Sequence, residues 1–190
     1  MRICLTGGIA CGKSLLSHYL NELGVETIDA DDIVHELIPD PAERRRMAAE
    51  VFADPEKRKA LEAEIHPLVK ARIEAFISED PGNSGASGNT GHSGIRIAII
   101  PLLFETHWDA EYDIICCVAS ERETQISRMM ATRGYTREEA EARLAAQLPV
   151  VEKAAKSHYV IDNNGTAEEL RSKAEEFVKW LKNSMCSPAR

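Results

Sequence analysis

Gly7-Gly8-Ile9-Ala10-Cys11-Gly12-Lys13-Ser14 fits the pattern G-x-x-x-x-G-K-[ST] at every fixed position. The flanks suit it: Ile3-Cys4-Leu5-Thr6 reads as a short buried strand, and Lys13 to Leu23 carries a helical pattern. Each residue type has a reason. Glycines let backbone N–H groups curl around phosphate oxygens, and the following helix start adds partial positive charge. A lysine at position 13 reaches the β- and γ-phosphates, and the Ser14 hydroxyl helps hold Mg²⁺. The stretch reads as a nucleoside-triphosphate site.

Outward from this turn, short apolar runs alternate with longer helical patterns, which is the signature of βα units and a parallel sheet. Strands are expected at Ile3–Thr6, Val25–Ile28, Ile95–Ile100, Ile114–Val118 and Tyr159–Ile161. Asp40-Pro41 and Asp54-Pro55 each place an N-cap before a proline at the first helical position. Ser120/Glu123, Thr136/Glu139 and Thr166/Glu169 have capping-box spacing, so helices are expected from about 121, 137 and 167. Between Pro81 and Gly94 five glycines recur at every third residue among Ser, Asn and Thr. The run is too short and too poor in proline for a collagen-like helix, and 81–94 is expected to be a flexible surface loop.

With 190 residues and a net charge of −8, the chain has the size of one domain, and its acidity argues against a general nucleic-acid or membrane-surface binder. A chain of this length buries enough surface to fold without a disulfide or structural metal. Cys4, Cys11, Cys116, Cys117 and Cys186 show no zinc-site spacing. Their placement suggests a reducing compartment, and no signal peptide or membrane-spanning run is apparent. A cytoplasmic protein is expected. The sequence is silent on oligomeric state, and a monomer is the simplest expectation.

No Asn-Lys-x-Asp guanine-reading stretch occurs, and the third strand runs into Ile99-Ile100-Pro101 rather than a metal-binding aspartate. A small phosphoryl-transfer kinase needs only a phosphate turn, an acceptor-side carboxylate and an arginine-bearing lid. Asp29-Ala30-Asp31-Asp32 follows the second strand, at the edge where open α/β sheets bind ligands. An aspartate there can orient an acceptor hydroxyl and take its proton, although Asp29 or Asp31 could equally be a helix cap. Arg128, Arg133, Arg137 and Arg143 flank a turn at Gly134 and supply lid candidates. Nearby Glu138, Glu139 and Glu141 offer the arginines a plainer role in surface ion pairs.

These pieces together resemble dephospho-coenzyme A kinase, from Arg2 to about Leu170. The resemblance rests on Leu5-Thr6-Gly7-Gly8-Ile9, Ile28-Asp29-Ala30-Asp31, Ile65-His66-Pro67-Leu68-Val69, Pro101-Leu102-Leu103-Phe104-Glu105, Arg133 with Thr136-Arg137, Ala145-Ala146-Gln147 and Val160-Ile161-Asp162-Asn163-Asn164-Gly165. It implies an α/β P-loop kinase fold: a five-stranded parallel sheet flanked by helices, with a helical acceptor domain over 32–80 and a short lid over 121–147. It also implies transfer of the ATP γ-phosphate, with Mg²⁺, to the ribose 3′-hydroxyl of dephospho-coenzyme A. By the same resemblance Asp31 would be the base and Arg133 a lid residue over the triphosphate. Gly8, Ala10, Cys11, Gly12, Lys13, Ser14 and Leu15 would bind the nucleotide phosphates, with Asn164 and Gly165 in the loop against the adenine. The helices around His66 would face the coenzyme, whereas the residues themselves read His66-Pro67 as a helical bend packed in the core.

Two departures from the family stand out. Glycine is usual where this chain has Ala10, so Ala10 is expected at a position that does not need positive φ. Family members also carry a longer segment, with an acidic-glycine turn, between the equivalents of Ile38 and Glu50. Leu37-Ile38-Pro39-Asp40-Pro41 cuts straight across it here. Cys11, beside Lys13 and a helix start, is either an activated thiol or a small inert filler. The rival readings are another small-molecule kinase (nucleoside-monophosphate, gluconate or shikimate) and a non-catalytic nucleotide switch.

Overall fold

The computed structural model describes residues 1–79 and 93–186, and the chain divides into two compact units. One comprises Met1–Thr27 with Ala86–Arg190, and the other Ile28–Gly85. Five strands, β1 (Ile3–Gly7), β2 (Glu26–Asp29), β3 (Arg96–Ile99), β4 (Ile114–Ala119) and β5 (Tyr159–Asp162), form one sheet in the order β2-β3-β1-β4-β5. The register is parallel from β3 through β1 and β4 to β5. All five expected strands are present, each within a residue or so of its expected ends.

The continuous apolar runs of β1, β3 and β4 have their cause in burial on both faces. One face packs against α1 (Lys13–Glu22) through Leu16 and Leu20, and against α8 (Ala167–Cys186). Leu170, Ala174, Phe177, Val178 and Leu181 of α8 recur at helical spacing and are all buried. Phe177 and Trp180 enclose the ring of Tyr159, each with centroids 4.9 Å away. At the edge strand β5 the pattern changes to alternation, with Ile161 buried and Val160 exposed. Arg96 is buried on β3 and donates through Nε to Glu26 Oε2 of β2 at 2.8 Å.

The remaining helices of the first unit are α5 (Arg122–Arg133), α6 (Arg137–Ala145) and α7 (Val150–Ala155). Thr136/Glu139 and Thr166/Glu169 form the expected reciprocal caps. Ser120/Glu123 does not. The Ser120 hydroxyl instead donates to the Asn163 carbonyl at 2.8 Å, and α5 begins after Glu121. The Glu121 N–H is accepted by Asn164 Oδ1 at 2.7 Å, so a tertiary partner takes over the work of a local cap.

In the second unit lie α2 (Ala30–Leu37), α3 (Pro41–Ala53) and α4 (Pro55–Ser78). Asp40 and Asp54 cap α3 and α4 as expected. Arg44 closes the shortened α2–α3 joint by donating to the carbonyls of Ile38 and Pro39. Pro67 sits inside α4, exposed, and His66 is only half-buried, so His66-Pro67 is not a core element. Partial burial pushes the His66 pKa below its ordinary value. Among the described residues no helix is long and apolar enough to cross a membrane. The glycine-rich segment lies outside the described residues except for its end. There Ser93 donates through its hydroxyl to the Gly24 carbonyl at 2.8 Å and Gly94 takes φ +68°.

Candidate active site

The phosphate turn leaves β1 at Gly7 and enters α1 at Lys13. Gly12 precedes the helix in the left-handed region at φ +93°. The Lys13 ammonium reaches back across the turn and donates to the carbonyls of Gly7 at 3.0 Å and Gly8 at 2.9 Å. Ser14 and Leu15, in the first turn of α1, are exposed.

Ala10 corrects the sequence reading. It adopts φ +58°, so this position does demand the left-handed region and alanine occupies it under strain. Ala10→Gly should therefore raise stability by about 1 kcal/mol, read from chemical denaturation. An unchanged or lower midpoint would show that the turn tolerates alanine without cost.

Cys11 is buried completely, with its thiol beneath the turn. Burial pushes its pKa up, and the opposing pull of Lys13 is the smaller effect. The activated-thiol reading fails, and Cys11 is a packed filler. Iodoacetamide should leave it unmodified in the folded protein and label it only with unfolding, as peptide mass spectrometry would show. Labelling that outruns unfolding would contradict this. Cys4, Cys116 and Cys117 are likewise buried with raised pKa, Cys117 to about 12. The side chain of Cys186 lies outside the described residues.

Around the turn stand Gln125 and Asn163, which motif reading did not single out, and Arg128, which it placed among the lid candidates. Gln125 of α5 is buried and donates through Nε2 to the Ile9 carbonyl at 2.7 Å. Asn163, buried just after β5, donates through Nδ2 to the Cys11 carbonyl at 2.8 Å. Arg128 donates to Ser120 Oγ at 3.1 Å and lies 3.5 Å from the Ala10 carbonyl. Gly8, Ile9, Gln125, Leu144, Leu148 and Val150 line a cavity of about 390 Å³ beside the turn.

Of the arginines expected to form a lid, Arg133 is exposed at the end of α5, where Gly134 terminates the helix at φ +66°. Arg137 makes a two-point pair with Glu123 at 2.6 and 3.0 Å and a further contact with Glu141, which is its plainer role. Arg143 lies over the Tyr135 ring, 4.3 Å from its centroid. Asn164 is exposed and held to Asp162, and a side chain at Gly165 would collide with the carboxylate of Glu169, the partner in the α8 cap.

Glu105 and Lys153 form a second buried feature. Lys153 is wholly buried; its ammonium lies 2.7 Å from Glu105 Oε1 and donates to the Pro101 carbonyl at 2.8 Å. The same Glu105 oxygen accepts the N–H of Leu148 at 3.0 Å, joining the turn that follows β3 to the segment between α6 and α7. Glu105→Ala should cost about 3 kcal/mol in denaturant unfolding, because it strands a buried ammonium. A loss within 1 kcal/mol of zero would show that the pair carries little stability.

In the second unit, Asp29 caps α2 and accepts the Asp31 N–H through Oδ1 at 2.9 Å. The capping role therefore falls to Asp29, and Asp31 presents its carboxylate from the exposed first turn, next to exposed Asp32.

Comparison with known proteins is consistent from end to end. The family model described as Dephospho-CoA kinase matches residues 1–43 and 39–169. A dephospho-CoA kinase of Geobacter sulfurreducens is 39% identical over 203 residues, covering 95% of this chain and 97% of that protein. A solved Thermus thermophilus structure has a TM-score of 0.76 at 30% identity, covering 95% of this chain and 97% of its own. A shikimate kinase of Bacteroides thetaiotaomicron, at 13% identity and a TM-score of 0.60 over 96% of this chain and 98% of its own, shares the fold. The parallel sheet, the phosphate turn opening α1 and these likenesses make the architecture a P-loop kinase fold, and the chain belongs to the dephospho-CoA kinase family.

Proposed function

We propose that this chain transfers the γ-phosphoryl group of ATP to the ribose 3′-hydroxyl of dephospho-coenzyme A, giving coenzyme A and ADP. The observation that carries the reading is an intact phosphate turn, closed over by Lys13, in a chain that matches the kinase family along most of its length. The turn's N–H groups and the start of α1 bind the triphosphate, and Lys13 exchanges its two carbonyl partners for phosphate oxygens. Asp31 accepts the hydroxyl proton during in-line attack, which requires its carboxylate within hydrogen-bond reach of that hydroxyl. Arg133 closes over the moving charge. Asn164 and Gly165 flank the adenine, and the helices of 32–80 take the coenzyme side.

Mg²⁺ fits this site as a companion of the nucleotide. The exposed Ser14 hydroxyl would supply one oxygen, and the ion typically takes the rest from phosphates and water. Its charge would screen the β- and γ-oxygens. The completely buried thiols suit a reducing compartment, and we assign the chain to the cytoplasm.

The test is ADP release measured with a panel of acceptors: dephospho-coenzyme A, shikimate, gluconate and nucleoside monophosphates. Turnover with dephospho-coenzyme A alone is expected. Preferred turnover of another acceptor would replace this reading with that of a different small-molecule kinase, and acceptor-independent hydrolysis would favour a switch.

A further inference from the structure

In a planar trans peptide the carbonyl and the next residue's N–H point to opposite sides. Fixing a carbonyl on the outside of a loop therefore fixes the following N–H toward the inside. Gln125 Nε2 holds the Ile9 carbonyl at 2.7 Å, which sets the Ala10 N–H. Asn163 Nδ2 holds the Cys11 carbonyl at 2.8 Å, which sets the Gly12 N–H. The Cys11 N–H between them is spent within the loop, on the Gly8 carbonyl at 3.3 Å.

Asn163 is anchored through its own backbone. The Asn163 carbonyl accepts from Ser120 Oγ at 2.8 Å, its N–H donates to Ala119 at 2.7 Å, and Ser120 Oγ receives Arg128. Gln125 lies one helical turn before Arg128 on the same face of α5. The two amides also press against the turn's glycines. A Cβ at Gly8 would stand 2.5 Å from Gln125 Nε2, and one at Gly12 would collide with Asn163 Nδ2. Gly8 is outside the left-handed region, so its need for glycine is the space taken by Gln125 and, less severely, by Cys11 and Val150.

We propose that Gln125 and Asn163 are positioning residues for the triphosphate, holding the Ile9 and Cys11 carbonyls outward so that the Ala10 and Gly12 N–H groups face the phosphates. This deepens the nucleotide-binding reading above and rests on it. The device matters more here because Ala10, between the two held carbonyls, is strained and favours relaxation of the loop.

The experiment is calorimetric MgATP binding, with steady-state kinetics and melting temperatures, for wild type, Gln125→Ala, Asn163→Ala, Gly8→Ala and the Gly8→Ala/Gln125→Ala double variant. Gln125→Ala and Asn163→Ala should each weaken MgATP about tenfold and raise the ATP KM alike, leaving the dephospho-coenzyme A KM within about twofold. Gly8→Ala should weaken MgATP similarly, and the double variant should bind no worse than the weaker single, since both remove one contact. Gln125→Met, close in size but lacking the donor, should match Gln125→Ala and serves if the latter melts early. Failure of the wild type to bind MgATP would sink the nucleotide reading itself. With wild-type binding intact, unaltered affinity in the variants, equal losses for ATP and acceptor, or additive losses in the double variant would each overturn the proposal.

Discussion

Asp31→Asn should lower kcat by roughly 10²-fold or more while MgATP affinity stays within about twofold of wild type. The substitution is nearly isosteric, and the contact that orders this end of α2 survives it. That contact runs from the Asp31 backbone N–H to Asp29 Oδ1, and the Asp31 side chain takes no part in it. On the proposed role of Asp31, what disappears is a proton acceptor that acts mainly in the transition state, so the loss falls on kcat. Asp29→Asn should do less, because asparagine is itself a good N-cap. Asp32→Asn should also do less. Steady-state kinetics of the three variants side by side decide the matter: if Asp32→Asn were the most damaging, the base would be Asp32.

Lys13→Ala should reduce kcat/KM for ATP by roughly 10²- to 10³-fold and weaken MgATP binding as well. Its ammonium stands 2.9–3.0 Å from two carbonyls of the turn, and phosphate oxygens offer it a stronger, charge-assisted partner. On the proposed reading the contact forms with bound ATP and strengthens as charge moves, so ground-state and transition-state binding should suffer together. Lys13→Arg should not restore activity, since a planar guanidinium cannot fold over the turn as a compact ammonium does. Calorimetry beside turnover checks this; a variant with wild-type affinity and a collapsed kcat would confine Lys13 to the transition state.

The sheet was legible because its signals are local and redundant. Three strands buried on both faces read as mainly apolar runs, and Asp40, Asp54, Thr136 and Thr166 cap their helices with neighbours in sequence. Local reading failed where a distant partner outbid the near one. Ser120 has the right residue three positions on, yet its hydroxyl goes to Asn163 across the sheet edge. Ala10 was misjudged because nothing in the one-letter code reveals the sign of φ; glycine would have signalled it. Cys11 stayed open between two readings because burial, which outweighs a nearby ammonium, is a property of the folded turn.

Within the candidate site, the phosphate turn was plain from its spacing. Its supports were not. Asn163 lay unremarked inside a quoted motif, Glu105 ended another, and their partners are 152 and 43 residues distant in sequence. Gln125 carries no sequence signal, since a glutamine in the first turn of a polar helix is ordinary until the helix docks on the turn.

The most direct test of the account is the identity of the product. The chain is incubated with MgATP and dephospho-coenzyme A, and the nucleotide products are separated and examined by mass spectrometry and phosphorus resonance. The account predicts coenzyme A phosphorylated at the ribose 3′-hydroxyl, formed one for one with ADP. ADP without a phosphorylated coenzyme, or phosphate on any other hydroxyl, would contradict it.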